Sequence, residues 1–394
     1  MKIKMNKNFY GISTNTMFQY EGCTCQCVKD TVNTAPNEAP IVTLKLCPNT
    51  DSKRLFSYSP KEGLNMSGIA GAKHENNILG KLFAIRSNDI DGYIKFIEKY
   101  GFLYPLPVNE YTAIEATALT NIINRIKATI GLYSSINKKD YKGVLIRVVY
   151  LLFAPVTEIS IGERSFSTCN HIFNHLINSY NIFPDLNRNP EVVTKGTYSV
   201  DDSFLGHKNA VDIDFYNAVR SGASTNLSGS KDPWFKNLMA MYIGCKELNS
   251  ETRFLIDFFF HLQTEVSVIK EVNFGGFKTY SKFKEENLDT SFKNALLNIA
   301  RIVVAEEINH NIRGIHPKYN GGQLIATWQV DMLIEALYFS IFYMRSGQIY
   351  KECENPNCKR DKYFLVEATR TNKRYCSEQC RNAAGIVSIV LRKF

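Results

Sequence analysis

The residues with the clearest chemistry are four cysteines near the C-terminal end. They read Cys353-x4-Cys358, then 17 residues, then Cys376-x3-Cys380. Two short-spaced thiol pairs separated by a loop are a common way for a chain to hold one tetrahedral ion. Four of the 10 cysteines fall within 28 residues, which argues against chance. Two disulfides are the competing use of four thiols. No apolar stretch follows Met1-Lys2-Ile3-Lys4-Met5-Asn6-Lys7, so the chain reads as cytoplasmic, where thiols stay reduced. Zinc is the expected cofactor, one ion per chain, with an iron–sulfur cluster as the alternative that four thiolates also suit. A closed shell of four sulfurs leaves no position for water, so the expected role is structural.

The residues between the cysteines suggest how they are positioned. Asn355, Pro356 and Asn357 favour a tight turn that lets Cys353 and Cys358 converge. Tyr363-Phe364-Leu365-Val366 reads as a short strand. Thr369 to Lys373 is polar and turn-like. Ser377 is placed to cap a helix that starts at Glu378, carries Cys380 and runs towards Leu391. Turn, short hairpin and helix together predict a treble-clef-like finger.

At these residues the chain resembles a CGNR-type zinc finger. The resemblance lies in Arg374-Tyr375-Cys376-Ser377 and Cys380-Arg381-Asn382, after a Cys-x4-Cys and Phe364. It covers about 40 residues, and the glycine that follows the fourth cysteine in the family's motif is Arg381 here. The resemblance implies a finger at the end of a helical protein, often after an ABATE domain, in proteins regarded as bacterial transcription regulators. It carries the four ligand positions onto Cys353, Cys358, Cys376 and Cys380, and a basic position onto Arg374.

Charge agrees with a polyanion partner. Residues 351–394 hold 10 Lys/Arg against 5 Asp/Glu, more than half of the net +9 of all 394 residues. A compact basic surface is the electrostatic footprint of nucleic-acid binding. Lys373, Arg374 and Arg381 flank the second cysteine pair, and Arg370, Arg392 and Lys393 extend the set. DNA is the expected partner and RNA the other polyanion that this surface suits. The competing reading is a protein–protein interaction protein in which the finger only staples the fold and its cations are spent on internal salt bridges. Specificity from one finger would call for a homodimer. The sequence names no small-molecule effector.

The elements that must carry the finger read as mainly α. Residues 1–70 look β-rich, with Phe9-Tyr10-Gly11-Ile12-Ser13 and Ile41-Val42-Thr43-Leu44-Lys45-Leu46 strand-like. Residues 71–348 read as a helical body. Asp89 or Asp91 caps a helix ending near Gly101, and helices are expected over 110–133, 138–153, 168–182, 234–248, 251–271, 287–313 and 325–347. Residues 184–233, rich in glycine, proline and polar residues, read as a loop-rich insertion. Residues 349–394 form the finger. No apolar run is long enough for a bilayer span, so no membrane partner is expected.

Three other constellations contain ligand-type side chains. Cys23, Cys25 and Cys27 alternate as on one strand face, with Cys47 as a fourth thiol, and read as small apolar fillers. Cys169, His171 and His175 form another group; His171 and His175, four apart, would share a helix face but lack the acidic residue of a metalloprotease helix, and read as surface or core histidines. Glu307-x-x-His310 resembles half of a di-iron motif without its second half, and reads as a solvated or interdomain face. No phosphate loop and no nucleophile motif occurs. The sequence therefore gives no case for an enzyme.

Overall fold

A computed structural model describes residues 18–32, 40–60, 62–68, 75–179, 197–199, 210–244, 249–320, 325–345, 347–358, 362–370 and 372–391. The mainly α expectation is overturned. Among the described residues, helices make up 47% and strands 25%, the strands forming several small antiparallel sheets. Among the described residues no helix is long and apolar enough to cross a membrane. The chain divides into two compact units, Met1–Ile130 with Thr157–Thr168 and Ile308–Phe394, and Gly131–Val156 with Cys169–Glu307.

The first unit is built on a four-stranded antiparallel sheet. Strands β1 (Gln19–Val32), β2 (Ile41–Ser59), β3 (Gly63–Gly68) and β4 (Thr112–Glu115) follow one another in the chain. The long β2 is central: β1 runs along it, β3 pairs with its second half and β4 with its first. Leu44, Leu46, Phe56 and Tyr58 are fully buried, spaced by two within each half of β2, as a sheet with one buried face requires. Helix α1 (Ile78–Ala84) and α2 (Ile90–Tyr100) follow β3. Asp89 caps α2 by accepting from Gly92 N, and Gly101 ends it with φ 92°, both as the sequence predicts. Helix α3 (Ala116–Lys138) begins directly after β4. Hairpin β5 (Glu158–Ile161) and β6 (Arg164–Ser167) precedes the expected 168–182 helix, which begins only at Ile172 because residues 168–171 are not helical.

The second unit includes the helices α4 (Tyr141–Phe153), α5 (Ile172–Asn178), α6 (Ile213–Ser221), α7 (Pro233–Gly244), α8 (Ser250–His261) and α9 (Thr290–Ile312), α9 ending beyond it. Two short strands, β7 (Thr197–Ser199) and β8 (Ala210–Asp212), pair inside the expected insertion. Phe153, Phe173 and Phe259 meet with ring centroids 5.0–5.7 Å apart at the centre of this unit. The expected helix over 251–271 does not persist. A π-turn over Leu262–Val266 closes α8, and the chain enters the hairpin β9 (Ile269–Asn273) and β10 (Gly276–Thr279).

The largest correction concerns the segment before the finger. The expected helix over 325–347 splits into strand β12 (Ile325–Gln329), paired with β11 (His316–Asn320), and helix α10 (Leu333–Phe342). The start of the helix is fixed locally. Glu335 folds back and accepts from the backbone N–H of Asp331 at 3.0 Å and of Met332 at 3.2 Å, which fixes the helix start there. Phe339 of α10 then packs on Phe18, which stacks on Tyr58 of β2. The expected strand over Phe9–Ser13 lies outside the described residues.

Hairpin β13 (Gln348–Glu352) and β14 (Tyr363–Glu367) follows α10 and is bonded to the elements around it. Asn77, in the left-handed region at φ 61°, is its main anchor. Its Oδ1 caps α1 by accepting from Gly80 N at 3.1 Å, and its Nδ2 donates to Tyr363 O at 2.6 Å. Its own N–H donates to Asn65 Oδ1 of β3 at 3.2 Å. Gln348 Nε2 donates to Pro60 O at 3.0 Å, and Phe83 meets Tyr363 edge-on. A Cβ at Gly80 would lie 2.5 Å from Tyr363 O, so the hairpin approaches α1 as closely as glycine permits.

These anchors can be tested by substitution. Asn77→Ala removes a cap and an inter-element bond, and should cost about 2–3 kcal/mol in denaturant unfolding; a loss below about 0.5 kcal/mol would discount the anchor. Glu75, whose side chain is 12% exposed, supplies the pH dependence. Burial alone would raise its carboxyl, but hydrogen bonds from Lys81, Lys99 and Tyr100 outweigh burial and bring it down to about 2. A depressed carboxylate stabilises the fold above its unfolded range and loses that contribution as pH falls through the folded value. Glu75→Gln should therefore cost about 2 kcal/mol at pH 7 and less than half of that near pH 3. A deficit of equal size at both pH values would refute the assignment.

Candidate metal centre

Each of the four cysteines is delivered by a separate local device. Cys353 follows β13 and donates its N–H across the hairpin to Lys362 O at 2.7 Å. Asn355 Oδ1 accepts from Asn357 N at 3.1 Å, and Cys358 N donates to Asn355 O at 3.1 Å. This is the tight turn expected over Asn355-Pro356-Asn357. Strand β14 covers the predicted Tyr363–Val366 run. Ser377 caps helix α11 (Glu378–Leu391), its Oγ accepting from Cys380 N at 3.2 Å, where the sequence places the cap.

The sulfurs converge. Sγ–Sγ distances are 3.7 Å for Cys358–Cys376, 3.5 Å for Cys376–Cys380 and 3.7 Å for Cys380–Cys358. The fourth, Cys353 Sγ, accepts the N–H of Cys376 at 3.5 Å. All four Sγ atoms lie within 4.8 Å of one another. A tetrahedron of sulfurs at about 2.3 Å from a central zinc has edges of about 3.8 Å. A disulfide would bring two of them to about 2.05 Å. The spacing is thus that of a cage for a single metal ion, and none of the four is joined in a disulfide.

The cage has a dry side and a polar side. Cys353 and Cys380 are buried with Ile349, Phe364 and Val366, while Cys358, Cys376 and Tyr375 pack against that group. A hydrogen bond with Asn355 brings the Cys380 thiol down to about 7, and burial pushes Cys376 up. Asn355 is itself buried, so it is committed to the site.

Four of the cations named from the sequence, Arg370, Lys373, Arg374 and Arg381, are exposed. Lys373 sits 5.3 Å from the centroid of the Phe364 ring. Arg370 is exposed and makes no ion pair among the described residues. Arg374 pairs with Glu354, and Arg381 pairs with Glu378 at 2.9 Å. Both carboxylates belong to the finger itself. Arg392 and Lys393 lie outside the described residues.

The remaining constellations are rearranged. Cys25 is buried in β1, but Cys23, Cys25, Cys27 and Cys47 form no cluster of three ligand atoms among the described residues. His171 does not share a helix face with His175. It is the N-cap residue of α5, with extended backbone, and His175 is exposed on the helix behind it. His310 bonds Ser167 O at 2.9 Å. Glu307 is fully buried, not on a solvated face. Its Oε1 lies 2.7 Å from His171 Nε2, and Cys169 joins them in a second cluster. Sequence spacing misses this cluster, because it matches Cys169 and His171 with His175, and Glu307 with His310.

Compared with protein-family models, curated proteins and solved structures, the chain matches none. The four-cysteine cluster could bind a metal ion on its own geometry.

Cys376→Ser opens one corner of the cage. It should lower bound metal by one equivalent by elemental analysis, and lower the thermal midpoint of the intact chain, because structural metal binding contributes folding free energy and β14 is anchored through Asn77. An unchanged midpoint together with lost metal would mean that cage and fold are independent.

Proposed function

We propose that the C-terminal module binds one structural zinc ion and presents a basic face to the phosphate backbone of nucleic acid, DNA first, as a transcription regulator would. The observation that carries this reading is the rim. Arg370 and Lys373 are exposed beside the cage, and Lys373 is held over Phe364 of the same hairpin. The ion pairs of Arg374 and Arg381 are exposed, so each holds its cation only weakly. A phosphate can replace such a carboxylate. The net +5 of residues 351–394 and the resemblance to CGNR-type fingers support the same partner. Contacts of this kind give affinity and salt dependence more than sequence choice.

A second reading has its own observation. The hairpin is tied to other elements by Asn77, Gln348 and Phe83, as a metal staple that completes a fold would be. In that case the rim cations serve solubility, and a protein partner docks elsewhere.

Fluorescence anisotropy on random duplex DNA and single-stranded RNA, at two salt concentrations, separates the two. The regulator reading expects salt-dependent binding that weakens about tenfold in the Arg370→Ala/Lys373→Ala double variant, with the salt slope reduced by about 2. Folding should be unaffected, since neither side chain is buried. No binding at low salt, or equal binding by the variant, leaves the staple reading.

A further inference from the structure

We propose that the second unit holds a separate divalent transition-metal site formed by Cys169, His171 and Glu307, with Glu306 as the positioning residue. The three ligand atoms lie within 4.8 Å of one another. Cys169 is 5% exposed, His171 1% and Glu307 0%. Sulfur, imidazole nitrogen and carboxylate oxygen are the donor types that zinc, cobalt(II) and iron(II) share, whereas magnesium and calcium prefer an all-oxygen set.

The local backbone explains the convergence. Residues 168–171 carry no helix, and His171 has extended backbone, so Cys169 and His171 sit two apart on a segment that ends at the start of α5. Glu306 and Glu307 are neighbours on α9, so their side chains leave the helix about 100° apart. One imidazole fits between them. Nδ1 meets Glu306, and Nε2 meets Glu307 at 2.7 Å.

The two carboxylates are not equivalent. The Glu306 side chain is 32% exposed, while those of Glu307 and His171 are wholly buried. Glu306 therefore takes the place of the outer carboxylate that orients a metal-binding histidine by holding its other ring nitrogen. Nε2, 2.7 Å from Glu307 Oε1, is then the ligand atom, and Cys169 is the third member of the group. With Cys169 as thiolate, His171 neutral and Glu307 ionised, the two negative charges balance one divalent ion held between them.

The Nε2–Oε1 contact is a hydrogen bond without the ion. Ligands at about 2.0–2.1 Å from a tetrahedral centre stand about 3.3 Å apart. Binding then requires His171 and Glu307 to separate by about 0.6 Å, within the reach of small side-chain rotations. Three protein ligands leave one coordination position for water or another small ligand.

The test uses the full-length, metal-stripped protein, titrated with cobalt(II) and read by optical spectra, with zinc content by elemental analysis after desalting. The expected result is two ions per chain and two spectral classes, one with the strong charge-transfer bands of four thiolates and one with the weak band of a single thiolate. Cys376→Ser should keep only the second class. Cys169→Ser and Glu307→Gln should keep only the first, and Glu306→Gln should weaken the second site about 10–100-fold. Saturation of the wild type at one cobalt with the four-thiolate spectrum overturns the proposal, as does a second ion that persists in both Cys169→Ser and Glu307→Gln. If those variants do not fold, Cys376→Ser decides: one ion with a single-thiolate band supports the site, and no ion overturns it. None of these outcomes depends on nucleic-acid binding.

Discussion

Four sulfur atoms held at the edge lengths of one tetrahedron cannot all be thiolates without a cation between them. At 3.5–3.7 Å the sulfurs of Cys358, Cys376 and Cys380 are too far apart to bond and close enough to repel strongly once ionised. A single divalent ion would resolve this, and would add to the small apolar group beside the cysteines. Ile349, Phe364 and Val366 are the buried side chains of that group. The turn at Asn355, the hairpin and the Ser377 cap then act as positioning devices for one coordination sphere.

Away from the cage, buried polar groups fix how neighbouring elements meet. Asn77 touches β3, α1 and β14 with three separate groups, and each bond satisfies a donor or acceptor that would otherwise lie unpaired in the interior. Glu335 sets the point where α10 begins, and so the point from which the chain enters β13. Glu75 gathers Lys81, Lys99 and Tyr100 onto one carboxylate beside α1 and α2. In each case apolar packing supplies most of the stability, while a directional bond selects one arrangement among several that would pack about equally well.

Part of this is legible in the residues. Asp89 and Gly101 bound α2, and Ser377 begins α11, because a cap is a contact between residues two or three apart. The alternation of Ile41 to Leu46 reads as strand for the same local reason. The mainly α expectation fails where apolar runs admit two periods. The run over 325–347 contains enough large side chains to look like one helix, yet Ile325–Gln329 pairs with His316–Asn320 instead. Strand pairing depends on a partner elsewhere in the chain, which a local period does not show. Lys373, Arg374 and Arg381 can be named as cations from the sequence, but the Glu354 and Glu378 partners of the two arginines depend on how the finger folds.

By itself the sequence determined the four-cysteine set, since ligands four or five apart in two pairs can converge through a turn and a helix cap whatever surrounds them. It also determined the excess of positive charge on the finger, which is a count. Only the tertiary structure decided which of the remaining histidines and carboxylates meet. His171 and Glu307 are separated by 136 residues and belong to patterns that each look incomplete. The extended backbone at His171 turns the imidazole away from His175, and burial in α9 turns Glu307 away from solvent. Long-range packing, unlike spacing, leaves no local mark in a single sequence, because the free energy that brings such groups together comes from the apolar side chains around them.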